Sequence, residues 1–213
     1  MGRDASNNSG IGESSFAIAD PAITVTSPNT LVNWAVGSLQ QITWNHNLGS
    51  GTSVKIEVSR NGGGTWTTIS ASAPNTGSYA WLVTGPTTTN ARIRVSWTSN
   101  LSVSDSSDIS FKIATGSITV VVPNTAVTWG IGTTQTISWS HNLGPSSSVK
   151  IEVSRNAGNN YSLVAASVAN SGATSGSYVW TVTGPATVQA RIKVTWTSNA
   201  AVHDRSDVNF TIQ

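Results

Sequence analysis

Residues 53–61 read SVKIEVSRN, and 95 positions later, at 148–156, the same nine letters return unchanged. Val54, Ile56 and Val58 alternate with Lys55, Glu57 and Ser59. That is the period of two expected of a strand with one face in a core and one in water. The stretch runs directly into Asn61-Gly62-Gly63-Gly64, residues that supply the left-handed backbone of a tight turn. Working outward, the same alternation recurs in Ile42 with Trp44, in Tyr79, Trp81 and Val83, in Ile93, Val95 and Trp97, and in Phe111 with Ile113. No segment sustains a helical stripe.

The duplication extends well beyond the nine residues. Ile23-Thr24-Val25 reappears as Ile118-Thr119-Val120, Trp34 as Trp129, and Trp44 as Trp139, all 95 positions on. Past Asn75 the offset becomes 99, because the second copy carries four extra residues at 171–174. With that shift Trp81 matches Trp180, Gly85-Pro86 matches Gly184-Pro185, and Phe111 matches Phe210. A unit of this length is a domain in its own right. Short alternating strands separated by Asn, Gly and Pro predict an all-β protein of two tandem immunoglobulin-like or fibronectin-like antiparallel β-sandwiches, each of seven or eight strands. The repeats are placed at 22–114 and 118–213, with a short linker at 115–117. Residues 1–21 read as the closing strand of a preceding repeat or as a leader, since Glu13, Phe16 and Ile18 lie 95 positions before Asp108, Phe111 and Ile113. The chain is accordingly expected to be an excerpt of a longer array.

Composition narrows the function. Of 213 residues, 9% are charged and the net charge is +2, so the pI of 9.2 reflects a surplus of two charges and no basic field. No clustered Lys and Arg face of a nucleic-acid reader is visible. Without cysteine, disulfides, thiolate zinc sites and cysteine nucleophiles are excluded. No run approaches the length of a membrane span. His46 and His141 occupy equivalent NHNLG and SHNLG loops, and with His203 they match no triad or metallohydrolase pattern. No catalytic residue and no cofactor are expected.

The stretches Ser27-Pro28-Asn29, Trp34-Ala35-Val36-Gly37 and Gln41-Ile42-Thr43-Trp44, with Ala91-Arg92-Ile93-Arg94-Val95 and Val103-Ser104-Asp105 near the close, resemble the sandwich repeat of fungal Ser/Thr-rich GPI-anchored and β-glucan-assembly cell-wall proteins. Similar units occur in bacterial secreted and surface proteins. The resemblance covers both repeats. It implies an extracellular or cell-surface module attached to walls or secreted enzymes, without catalytic residues of its own. Residues 59–66, SRNGGGTW, further resemble the Asp-box hairpin of sialidase propellers, with Asn61 for the aspartate. One box per repeat is far too sparse for propeller blades, so it is read as a fold element.

Three sets of residues are candidate sites. Trp66, Tyr161, Trp34 and Trp129 could stack on a sugar, the competing reading being hairpin or edge packing. Asp105, Asp108, Asp204 and Asp207 form a repeated Asp-x-x-Asp that is weak for calcium, which wants six to eight oxygens; turn capping competes. Glu13, Phe16 and Ile18 could donate a strand to another copy and build a filament. Lys55, Glu57, Arg92 and Arg94, with their equivalents Lys150, Glu152, Arg191 and Lys193, read as outward ion clusters. The expected partners are neighbouring repeats, cell-wall polysaccharide or copies of the chain. Three roles remain open: a structural spacer or display unit, a glycan-binding accessory module, and a filament subunit.

Overall fold

A computed structural model describes residues 19–49 and 51–213. Glu13, Phe16, Ile18 and the rest of the predicted donor strand before Ala19 lie outside the described residues. The first module consists of β1 (Ile23–Ser27), β2 (Asn33–Ala35), β3 (Leu39–His46), β4 (Ser53–Ser59), β5 (Thr67–Pro74), β6 (Ser78–Leu82), β7 (Thr88–Trp97), β8 (Asn100–Ser106) and β9 (Phe111–Ala114). The second repeats the plan as β10 (Ile118–Val122), β11 (Thr128–Trp129), β12 (Thr134–His141), β13 (Ser148–Ser154), β14 (Ser162–Ala169), β15 (Ser175–Thr181), β16 (Thr187–Trp196), β17 (His203–Arg205) and β18 (Phe210–Ile212).

Each module is a sandwich. The smaller sheet runs β1-β3-β6 and the larger β2-β9-β7-β4-β5, with β8 also paired to β7; β10-β12-β15 and β11-β18-β16-β13-β14, with β17 on β16, repeat both. All pairings are antiparallel except β2 with β9 and β11 with β18, which run parallel. Two Ig-like or fibronectin-like sandwiches in tandem are thus the fold. Among the described residues no helix is long and apolar enough to cross a membrane.

The alternation read from the sequence builds the cores. In the pairing of β4 with β7, Val54, Ile56 and Val58 stand opposite Trp97, Val95 and Ile93, and the three aliphatic residues of β4 are buried. Trp34 packs on Trp81 of the facing sheet and on Phe111 of its own sheet at 6.2 and 5.0 Å between centroids, and Trp129 repeats this on Trp180 and Phe210 at 6.1 and 4.8 Å. Such tilted and edge-on rings add about 0.5–1.5 kcal/mol per pair beyond the area they bury. The indole N–H of Trp44 finds Asn75 Oδ1 at 2.7 Å, and that of Trp139 finds Asn170 Oδ1 at 3.0 Å. Two buried donors are thereby satisfied without disulfide or metal.

The residues between β9 and β10 are held, not loose. Asn142 accepts the Ser117 N–H at 2.8 Å and donates from Nδ2 to the Thr115 carbonyl at 2.8 Å. The entry to the first module uses the same clamp, with Asn47 accepting from the Ala22 N–H and donating to the Asp20 carbonyl, both at 2.7 Å.

Candidate functional site: the joint between the modules

Where the first module meets the second, main chain and side chains interlock. In parallel pairing, alternate amides of a strand point to opposite sides. Val36 N–H bonds the Ala114 carbonyl of its own module at 2.8 Å, so the preceding Ala35 N–H faces away and reaches the Asn142 carbonyl at 3.1 Å. Ala35 is fully buried and belongs to the hydrophobic cluster of the second module, with Leu143 and Trp196. Gly37, at φ 85°, lies so near that module that a Cβ on it would stand 3.5 Å from Cη2 of Trp196. Gly144, at φ 78°, sits under the Gln40 carboxamide, with which a Cβ would collide. Gly116 passes over Val202, Trp196 and Leu143, leaving 3.1–3.3 Å for any side chain. These contacts convert a three-residue connection into a packed joint.

His141 belongs to the joint. Its Nδ1 accepts the Leu143 N–H at 3.1 Å, and the ring lines a shallow polar cleft with Asn33 of the first module, Ser117 and Asn142. Burial holds its imidazole below the usual histidine range, outweighing a hydrogen bond to the Ser175 backbone that acts the other way.

The glycan candidates separate into two classes. Trp34 and Trp129 are 7% and 5% exposed, and their rings are core members clasped by Trp81 or Trp180 and by a phenylalanine. This corrects the expectation of an edge platform: strands β2 and β11 sit at the sheet edge, but their tryptophans point into the sandwich. Trp66 and Tyr161 are half-exposed. Each folds back over its hairpin onto a cation of the neighbouring strand: Arg94 stands 4.3 Å from the Trp66 centroid, and Lys193 Nζ 4.1 Å from that of Tyr161. One face of each ring is therefore occupied.

The hairpins are shaped as the Asp-box likeness implies. Ser59 Oγ accepts the Gly63 N–H at 2.8 Å and Asn61 Oδ1 accepts the Thr65 N–H at 2.8 Å; Ser154 with Gly158, and Asn156 with Asn160, repeat this at 2.8 and 2.9 Å. Beneath the covering ring, Glu57 bridges Lys55 Nζ and Arg94 Nη2, both at 2.7 Å, and Glu152 bridges Lys150 and Lys193 at 3.0 and 2.8 Å. The outward ion cluster is thus partly closed: Glu57 is only 5% exposed. Burial pushes its carboxyl up, but the hydrogen bonds and charges of Lys55 and Arg94 outweigh it and hold it below the usual range. Arg92 and Arg191 lie outside these clusters, bonded instead to Ser110 and Asn209.

The aspartates bind the first strand of each module or the loop after it, not one another. Asp105 Oδ2 accepts the Val25 N–H at 2.7 Å, and Asp204 Oδ2 the Val120 N–H at 2.7 Å. Asn29 Nδ2 donates to Asp108 Oδ2 at 2.8 Å while its Oδ1 accepts the Asp108 N–H at 2.6 Å; Asn124 and Asp207 reproduce both bonds. The repeated Asp-x-x-Asp is a latch from the last loop to the start of the module. Among the described residues no group of three potential metal ligands gathers.

The joint was not among the expected sites. The one signal available was a leucine in an otherwise polar turn, Leu48 and its equivalent Leu143, where a solvent-exposed loop has no use for it.

No protein-family model matches this sequence, and no curated protein matches it. Among solved structures, the chain is similar to the fibronectin(III)-like modules of Clostridium thermocellum CbhA, at 16% identity, with 89% of this chain and 92% of that chain covered and a TM-score of 0.27. A chimeric titin Z1Z2 carrying a decorin peptide matches at 17% identity, covering 92% of this chain and 99% of that one, with a TM-score of 0.35. Sidekick-1 immunoglobulin domains 1–5 match at 11% identity over 90% of this chain and 39% of that one, with a TM-score of 0.39. At these values nothing of those proteins' partners passes to this chain.

Proposed function

We propose that the chain is a non-catalytic extracellular spacer or display unit, a stiff rod of two sandwiches that holds its neighbours at a fixed separation and orientation. The observation that carries this reading is the joint: a linker clamped at Thr115 and Ser117 by one asparagine, and Ala35 of one module packed in the apolar cluster of the next. A freely articulated pair would need neither. The resemblance to wall-protein repeats supports a position outside the cell, and a surface poor in charge and rich in hydroxyls suits a module that separates other domains without steering them.

Because the chain has no cysteine, spin labels are placed cleanly. Labels at Asn90→Cys and Gln189→Cys, exposed and equivalent positions in the two modules, should give one narrow distance distribution by pulsed electron resonance. A distribution as broad as that of a flexible linker would end the spacer reading.

A glycan-binding accessory role is supported by a single feature, the half-exposed ring at the same place on both modules, Trp66 and Tyr161. Retention on an insoluble wall polysaccharide, lost in Trp66→Ala or Tyr161→Ala, would favour it. The filament assembled through Glu13, Phe16 and Ile18 falls outside the described residues; light scattering before and after removal of residues 1–20 tests it.

A further inference from the structure

We infer that this chain associates with a second copy of itself end to end, by repeating between chains the joint that links its own two modules. The two modules provide an internal control, because equivalent residues sit at both ends and, among the described residues, only one of each pair is docked. At the upper end, Ala35 is fully buried and Gln40 is 6% exposed, whereas their equivalents Gly130 and Gln135 are half-exposed, beside Ile131 at 47%. At the lower end, Leu143 and Trp196 are 0% and 2% exposed, whereas Leu48 and Trp97 are only half-buried and Gly49 is open. The upper face of the second module and the lower face of the first are therefore the two halves of one joint, left apart at opposite poles of the molecule.

The chemistry matches on both sides. Ile131 N–H is taken by the Gln213 carbonyl of its own module at 2.6 Å, so the Gly130 N–H points outward as Ala35's does. The acceptor that Ala35 finds is the Asn142 carbonyl, and Asn47 presents the same residue at the first module's lower end. Leu48 and Trp97 carry the side-chain types of Leu143 and Trp196. Gly49 has nothing within 4 Å of a notional Cβ, and as glycine it can adopt the left-handed conformation that Gly144 uses beneath Gln40. The paired residues are themselves uncharged, and Asp20, whose carbonyl Asn47 holds, stands beside the lower face. An unlike pair of faces on one chain makes a head-to-tail contact, which adds copy after copy in a row or a ring. This inference uses none of residues 1–18 and does not depend on the spacer reading.

The test is complementation between two blocked chains. Gly130→Glu places a long charged side chain where Ala35 is buried, and disables only the upper face. Gly49→Lys fills the position where any side chain meets the facing glutamine, and disables only the lower face. Gln135→Arg serves as a second upper-face block should Gly130→Glu disturb its own loop, with near-ultraviolet dichroism of the tryptophans confirming the fold. By analytical ultracentrifugation the wild-type mass should rise above the 22.1 kDa of one chain between about 10 μM and about 1 mM, the range of an untethered contact of modest size. Each variant alone should stay at one chain, and their equimolar mixture should form a dimer and stop there. Wild-type protein that stays monomeric throughout, either variant associating alone as the wild type does, or a mixture that remains monomeric would overturn the inference.

Discussion

Trp97 and Trp196 close the same strand of the two modules, follow the same Arg-Ile-x-Val run, and have different surroundings. Trp196 lies under Gly37 and Gly116 and is 2% exposed; Trp97, with no module below it among the described residues, is only half-buried. The same holds for Leu143 against Leu48 and Asn142 against Asn47. One sequence motif is thus core in one copy and surface in the other. The difference teaches that a module's lower loop is designed around what precedes it, so its contribution to stability depends on its neighbour more than on its own residues.

That comparison can be broken most sharply at the tryptophans. Trp196→Ala should cost about 3–5 kcal/mol, the range of a fully buried aromatic, while Trp97→Ala should cost clearly less; urea midpoints measure both. Equal losses would mean that the joint adds nothing to Trp196. The glycines follow. Gly144→Ala meets both a left-handed backbone and the Gln40 carboxamide and should cost about 1–3 kcal/mol, whereas Gly49→Ala should be within about 0.5 kcal/mol of neutral. Asn142→Ala, which removes the partner of the Ser117 N–H and the Thr115 carbonyl in a part-buried site, should cost about 1–2 kcal/mol. Asn47→Ala removes the same two bonds in exposed surroundings and should cost about 0.5–1 kcal/mol.

Acid separates the joint from the rest of the molecule by smaller effects. The folded joint lowers the pKa of His141, so its contribution is complete above the ordinary value of 6.5 and is lost as pH falls through that value toward the folded one. Protonating Nδ1 also removes the acceptor of the Leu143 N–H. The Glu57 and Glu152 clusters, whose carboxyls are held below the usual 4.5, contribute fully above that value and lose that contribution as pH falls from there through the lower folded values. Thermal scans from pH 8 downward should therefore show a first small loss below about 6.5, absent in His141→Gln, and a second loss only in stronger acid. A single loss confined to strong acid would remove His141 from the account.

The sandwich was legible because Val54, Ile56 and Val58 and their counterparts alternate so cleanly that one face of each declares itself, whereas β5 and β14, eight residues long, show no such period. The short strands were not. Strand β2, with Asn33, Trp34 and Ala35, is too brief to show a period, and its parallel pairing with β9 depends on a partner some eighty residues away. For the same reason Trp34 read as an edge ring when it is a core ring. The aspartate pairs were legible as a repeated feature but not as latches, since Asn29 and Asn124 reach them only after the sandwich closes. The joint was hidden more deeply, because identical letters at 47–49 and 142–144 have opposite burial. Only the adjoining module distinguishes them.

The most direct test of a packed joint is the relative orientation of the modules in solution. Residual dipolar couplings measured on the intact, partly aligned chain should fit one alignment tensor shared by both sandwiches. Two tensors of different magnitude, one per module, would show the sandwiches turning independently and would contradict the stiff rod.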